Sequence, residues 1–181
     1  MAAKGVWERV LQALIRDRDN EYSLIDSSIV RTHAQAATGK EGDSDVALGR
    51  SRGGLSTKIH LVVDGQGRLQ RFFLTDGQRN DITQAPLLLA GFTPKYVLAD
   101  KGYHSQELVS LIRAQGAEPV IPPRLCQQPK QYDRTPYRLR NRLERCFAKL
   151  KQFRCIATRF DRKPANFLAF LYLASIPLCM P

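Results

Sequence analysis

The sequence predicts an α/β fold, a mixed sheet flanked by helices. Apolar residues make up 43 % of its 181 positions, enough to build one real core and too few residues for two large ones. Segments with helical and with strand character alternate along the chain, as they do where helices cover a sheet. Two of the strands are joined by Asp64-Gly65-Gln66-Gly67, a hairpin signal.

The elements follow in order. Val6, Trp7, Val10, Leu11, Leu14 and Ile15 recur at helical spacing, giving an amphipathic helix within residues 1–20. Tyr22 to Val30 is rich in β-formers and reads as the first strand. Thr38 to Gly54 holds five of the twelve glycines and reads as a mobile loop. Thr57–Val63 and Arg68–Thr75 are the hairpin strands. Asn80-Asp81 caps a helix running through Leu89. Tyr96 to Asp100 is a short strand, followed by a helix from about Ser105 to Gln115 and a strand from Glu118 to Ile121. Five of the ten prolines lie between Pro119 and Pro136, which marks a linker. A long helix is expected from about Pro136 to Cys155, and a more apolar one from about Pro164 to Ile176. Residues 21–181 thus read as one domain behind an N-terminal helix.

Lys and Arg number 28 against 17 Asp and Glu, a formal charge of +11. Arg124 to Lys163 carries thirteen of these cations against three acids, so nearly all of the excess lies in 40 residues. Tyr132, Tyr137, Phe147, Phe153 and Phe160 are interleaved with them, a mixture that suits nucleic acid. The longest apolar stretch, Phe167 to Met180, is broken by Ser175 and Pro177 and is too short for a membrane span. The N-terminus has no apolar secretory core, so a cytoplasmic protein without a membrane partner is expected. Cys126, Cys146, Cys155 and Cys179 show no C-x-x-C spacing and read as bystander thiols.

Two aspartates stand where strands run out, Asp26 after Tyr-Ser-Leu-Ile and Asp100 after Tyr-Val-Leu-Ala. A carboxylate in an apolar run is costly unless paired, and a divalent cation is one such partner; a cap or turn is the plainer role. On the long helix, with Glu144 at 0°, Tyr137, Arg140 and Lys151 all fall within a stripe about 60° wide. The apolar side chains occupy the adjacent stripe, from about −60° to −160°. Glu144 therefore sits at the rim of the buried face, where an i,i+4 ion pair with Arg140 is the structural alternative to chemistry. Three converging carboxylates in a basic groove suit two-metal phosphoryl transfer.

Four stretches carry a likeness to a known group. They are Tyr22-Ser-Leu-Ile-Asp26-Ser-Ser-Ile-Val-Arg-Thr-His33, Gly49 to His60, Leu98-Ala-Asp-Lys-Gly-Tyr103, and Tyr137 to Lys151. The last fits the pattern Y-(2)-R-(3)-E-(6)-K without a gap. The sequence resembles the catalytic part of bacterial insertion-sequence transposases of the DDE class, closest to insertion-sequence family five, from about residue 5 to 175. The resemblance implies a ribonuclease-H-like fold with Asp26, Asp100 and Glu144 as a catalytic, metal-binding triad. It implies Mg²⁺ or Mn²⁺, two ions, and cleavage of transposon ends whose 3′-hydroxyls then attack target DNA. By position Tyr137, Arg140 and Lys151 would contact DNA near the cut, with Arg50, Arg52 and Lys58 as further phosphate contacts. It also implies homo-oligomers on DNA, a bacterial cytoplasm, and an N-terminal transposase part that can be separately encoded.

Two other readings compete. A DNA-binding remnant without catalysis predicts salt-dependent binding indifferent to metal. A nuclease that only hydrolyses keeps the fold and the metals. Glu107 and Glu118 are the rival third carboxylates.

Overall fold

The computed structural model describes residues 5–15, 20–37, 47–51, 53–123 and 137–179. Its helices are α1 (Val6–Leu14), α2 (Ala85–Leu89), α3 (Gln106–Ala114), α4 (Arg140–Lys151), α5 (Arg154–Ala157) and α6 (Pro164–Cys179). Its strands are β1 (Tyr22–Thr32), β2 (Gly49–Ser51), β3 (Gly54–Asp64), β4 (Leu69–Asp76), β5 (Tyr96–Leu98), β6 (Glu118–Val120) and β7 (Thr158–Arg159). All seven strands form one sheet. β1 pairs antiparallel with β3 on one side and parallel with β5 on the other, and β6 continues the parallel edge. β4 runs antiparallel along β3 and β7 parallel to β1. This is the mixed, helix-flanked sheet that the sequence predicts, and the arrangement is consistent with the ribonuclease-H-like expectation.

The strand period of two sorts the core into two layers. Leu24, Leu61, Val63 and Leu98 join one cluster with Leu11 of α1, Leu143, Phe147 and Leu150 of α4, and Phe167 and Leu171 of α6. Their neighbours Ile25, Val62 and Val97 join the other, with Leu88 of α2 and Leu108 and Ile112 of α3. The sheet is thus sandwiched, α1, α4, α5 and α6 on one face and α2 and α3 on the other. No helix among the described residues is long and apolar enough to cross a membrane.

Three expectations shift. Residues 38–46 and 52 of the expected loop lie outside the described residues, but Gly49–Ser51 is a strand paired with Gly54–Ser56. The long helix ends at Lys151 rather than Cys155. Phe153 is extended (φ −77°, ψ 115°), and this lets the chain turn back so that β7 lies beside Arg31 and Thr32. That turn buries Arg159 completely. Its guanidinium donates to the carbonyls of Ala47, Asp161 and Arg162 and, at 2.6 Å, to Thr57 Oγ1. One of the thirteen cations of the basic segment is therefore a structural pin, and burial lowers its pKa to about 10.

Candidate active site

Asp26 and Asp100 meet through strand register. In the β1–β5 pair Tyr22 lies opposite Tyr96 and Leu24 opposite Leu98. Asp26 lies two residues further along β1, and Asp100 two residues after Leu98, just past the end of β5, close enough for its charge to act on Asp26. Because alternate residues share a face, Asp26 follows Leu24 toward the layer that holds α4. Asp100 caps the 3₁₀ turn Lys101–Tyr103 by accepting from Gly102 N at 2.8 Å. Asp26 accepts from its neighbour, Ser27 N, at 2.8 Å.

The helix α4 answers from above. Arg140 Nη2 donates to Asp26 Oδ2 at 3.0 Å, and Arg140 Nη1 donates to the Tyr137 hydroxyl at 3.0 Å. Nearly three turns on, Lys151 Nζ donates to Ser28 Oγ at 2.5 Å and to the Ile29 carbonyl. Asp26 and Ser28 are two apart on β1 and so share its α4 face. The stripe inferred from helical geometry is therefore the stripe that lies against the strand. Arg140 pairs with Asp26 across the fold, not with Glu144 along the helix.

Electrostatics mark the same spot. Burial raises the carboxyl of Asp26 above its usual value, and Asp100 adds to this, while Ser27 N–H and Arg140 oppose it. Burial works against the Arg140 charge too, but the Tyr137 hydroxyl and Asp26 outweigh it and hold that guanidinium above its usual value. Burial lowers the Lys151 ammonium. Beneath the sheet Tyr103 is 1 % exposed, its phenol pushed up by burial and then by the carboxylates of Asp26, Asp81 and Asp100.

Glu144 does not close the triad in this arrangement. It is exposed on α4, one turn beyond Arg140. Among the described residues no group of three or more His, Cys, Asp or Glu side chains gathers closely enough to hold a metal ion. The donors nonetheless fit a hard divalent cation in kind. They are carboxylate oxygens, and the counter-charge at Asp26 comes from Arg140. The rivals lie elsewhere: Glu118 faces Tyr96 at the start of β5, the opposite end from Asp100, and Glu107 is on α3, across the sheet.

The weaker phosphate contacts fare differently. Arg50 is exposed on β2, opposite Leu55, on the far side of β3 from β1. Arg52 lies outside the described residues. Lys58 departs from its expectation: it is 8 % exposed, donates to the Arg79 carbonyl at 2.6 Å and pairs with Asp81 at 2.8 Å. Its alternation puts it on the α2–α3 face with His60, so it is a buried partner for Asp81 rather than a cation offered to phosphate. Sequence reading missed Asp81 and His60. An Asn-Asp pair before a helix looks like a cap, and Asn80 does accept from Ile82 N.

Comparisons with known proteins show what the chain is similar to. Residues 18–176 match the family described as Transposase DDE domain. A putative transposase for insertion sequence element IS6501 from Brucella ovis is 33 % identical over 124 residues, covering 66 % of this chain and 95 % of that protein. A putative transposase for insertion sequence element IS402 from Burkholderia cepacia is 33 % identical over 135 residues, covering 68 % of this chain but only 62 % of that protein. Among solved structures, a piggyBac transposase synaptic complex with hairpin DNA aligns at a TM-score of 0.44 and 13 % identity, over 70 % of this chain and 28 % of that one.

Proposed function

The chain belongs to the transposase DDE domain family, and from that premise we propose that it cleaves and joins DNA strands at insertion-sequence ends, using Asp26, Asp100 and Glu144. The observation that supports this reading is the nearness of Asp26 and Asp100, together with the reach of Arg140 and Lys151 from α4 to Asp26 and Ser28 on β1. The Y-(2)-R-(3)-E-(6)-K spacing supports membership of insertion-sequence family five.

Mg²⁺ or Mn²⁺, as two ions, would polarise the scissile phosphate and activate the attacking oxygen. Asp26 and Asp100 would hold the metal, with Glu144 as the third ligand brought in from α4. Arg140 has two tasks: it holds the Asp26 carboxylate charged in a half-buried site, and it offers a guanidinium suited to bidentate phosphate binding once that carboxylate is otherwise engaged. Lys151, anchored at Ser28, sets a second positive charge further along β1. Tyr137 orients Arg140 through its hydroxyl. Transposon ends and target DNA are the partners, and synapsis of two ends calls for more than one subunit. The work of a separately encoded N-terminal part would be end recognition.

The test is nicking of plasmid DNA with Mn²⁺, together with thermal unfolding with and without the metal. Wild type should nick and melt higher with metal, since a ligand that binds only the folded state stabilises it. Asp26→Asn, Asp100→Asn and Glu144→Gln should each lose nicking, and Asp100→Asn should lose the metal-induced rise. Unchanged nicking in all three variants sinks the proposal. One observation favours a second reading, a DNA-binding remnant without catalysis: Glu144 stands exposed rather than in a closed ligand group. That reading expects DNA binding with no metal-induced rise in either protein.

A further inference from the structure

The opposite flank of α4 carries a second basic surface that the proposed active site does not use. With Glu144 again at 0°, Arg145, Lys149 and Arg142 fall between about 100° and 160°. The Arg140–Lys151 stripe lies at about −40° to +20°, and the core face at about −60° to −160°. The two polar stripes therefore flank the buried face on either side. Where the second stripe meets the β3–β4 turn, the surface forms a groove of about 360 Å³ lined by Gln66, Gly67, Arg142, Arg145, Lys149 and Leu178, with Cys146 at its floor.

The groove is built, not incidental. Arg142 Nη1 donates to the Gly65 carbonyl, tying the helix to the turn. Gly67 has φ +83°, and a Cβ there would stand 3.1 Å from Arg142 Cβ, so the turn approaches the helix as closely as a glycine allows. No carboxylate lines the groove. The nearby acid of the turn, Asp64, is fully buried and committed to Gln66 N, Arg68 N and Arg68 Nε. Among the described residues Arg145 and Lys149 enter no salt bridge.

We infer that this groove binds a nucleic-acid backbone, as a contact separate from the strand held at the Asp26–Asp100 site. From Arg142 to Lys149 the cations are spread over about 10 Å of helix. A single small anion would be met by converging donors. A row of that length, open to solvent and free of acids, matches successive phosphates of one strand. The inference rests on the reading that this chain works on DNA. It adds that α4 holds DNA on both flanks, so that duplex beyond the cut is gripped independently of the catalytic residues.

The experiment is binding of a short fluorescein-labelled DNA duplex, followed by anisotropy over a series of salt concentrations. Wild type is compared with Arg145→Gln/Lys149→Gln and with Lys95→Gln/Arg113→Gln, which removes the same charge at the β5–β6 edge of the sheet. Arg142 is left in place because of its bond to the turn. The first double variant should bind several-fold more weakly, with a log K against log [salt] slope smaller by about two. The second should keep the wild-type slope. Equal slopes in the two double variants would overturn the inference. Wild type that binds no DNA would overturn both it and the proposed function. DNA binding that weakens in the groove variant, with nicking indifferent to Asp26, Asp100 and Glu144, would sink only the active-site reading.

Discussion

Arg140 Nη2 on α4 lies 3.0 Å from Asp26 Oδ2 on β1, a pair 114 residues apart in sequence. Both side chains are just over four-fifths buried, at 19 % and 18 % exposure, so neither charge is cheaply left alone. Arg140→Gln should lower stability by about 1–3 kcal/mol, below the range for fully buried pairs because some solvent reaches this one. In a double-mutant cycle with Asp26→Asn, urea unfolding should return a coupling of similar size. Additive losses would mean that the ion pair contributes nothing to folding.

Arg159 should be the costliest cation to remove. Arg159→Met leaves the Asp161 and Arg162 carbonyls without this donor, removes the donor to Thr57 Oγ1, and leaves the Ala47 carbonyl with Thr57 as its remaining partner. A loss of about 3 kcal/mol or more is expected, read as a drop in thermal midpoint. Arg154→Met, on the exposed side of α5, is the control and should change little.

His60 makes stability depend on acid. It is fully buried, shares a 2.8 Å hydrogen bond with Thr75 Oγ1 and stacks on Phe73. Burial first, then Lys58, lowers its pKa to about 4, with Asp81 opposing. An unfolded histidine titrates near 6.5, so below that pH the unfolded chain takes up a proton that the folded chain refuses. Stability is thus lost as pH falls from about 6.5 toward 4, by roughly 1.4 kcal/mol per unit and about 3 in all. Urea midpoints at several pH values should show the gap between wild type and His60→Gln narrowing over this window. A constant gap would exclude the effect.

Gly67→Ala should cost about 1–2 kcal/mol. Its φ of +83° strains any side chain, and the added carbon meets Arg142 3.1 Å away. Gly91→Ala, also at positive φ but with open space around it, should cost less because only the backbone term remains. Chemical denaturation of both variants checks the difference.

Much of this molecule is legible from sequence because its signals are local. The 3.6-residue period places Tyr137, Arg140, Glu144 and Lys151 on one stripe, and the Asp-Gly turn fixes the hairpin. The apolar runs that end at Ile25 and Ala99 single out Asp26 and Asp100, but only Asp100 lies past a strand end: β1 continues to Thr32, held by its pairing with β3, and Asp26 sits within it. What no local signal reveals is that β1 and β5 lie side by side in parallel, which brings those two residues close. β2 and β7 escape notice for a similar reason: at three and two residues they have no period of their own and exist only because β3 and β1 are there to pair with. Lys58 and Arg159 look like surface cations because burial of a charge depends on partners, here Asp81 for the one and Thr57 and the Ala47 carbonyl for the other, that lie far along the chain. Glu144 is legible as a rim residue, and exposed is how it is found.

The alternation of β1 also limits how this chain can change. Asp26 and Ser28 face α4 while Ile25 and Ser27 face the α2–α3 layer, so an inserted or deleted residue before Asp26 would exchange the two sets. Such a frame error would drive the carboxylate into the apolar layer around Val62 and Leu88 and turn Ile25 toward Arg140. Drift in length is confined to connections, and the two aspartates keep their places because a fold that tolerated their displacement would have to exchange its two cores.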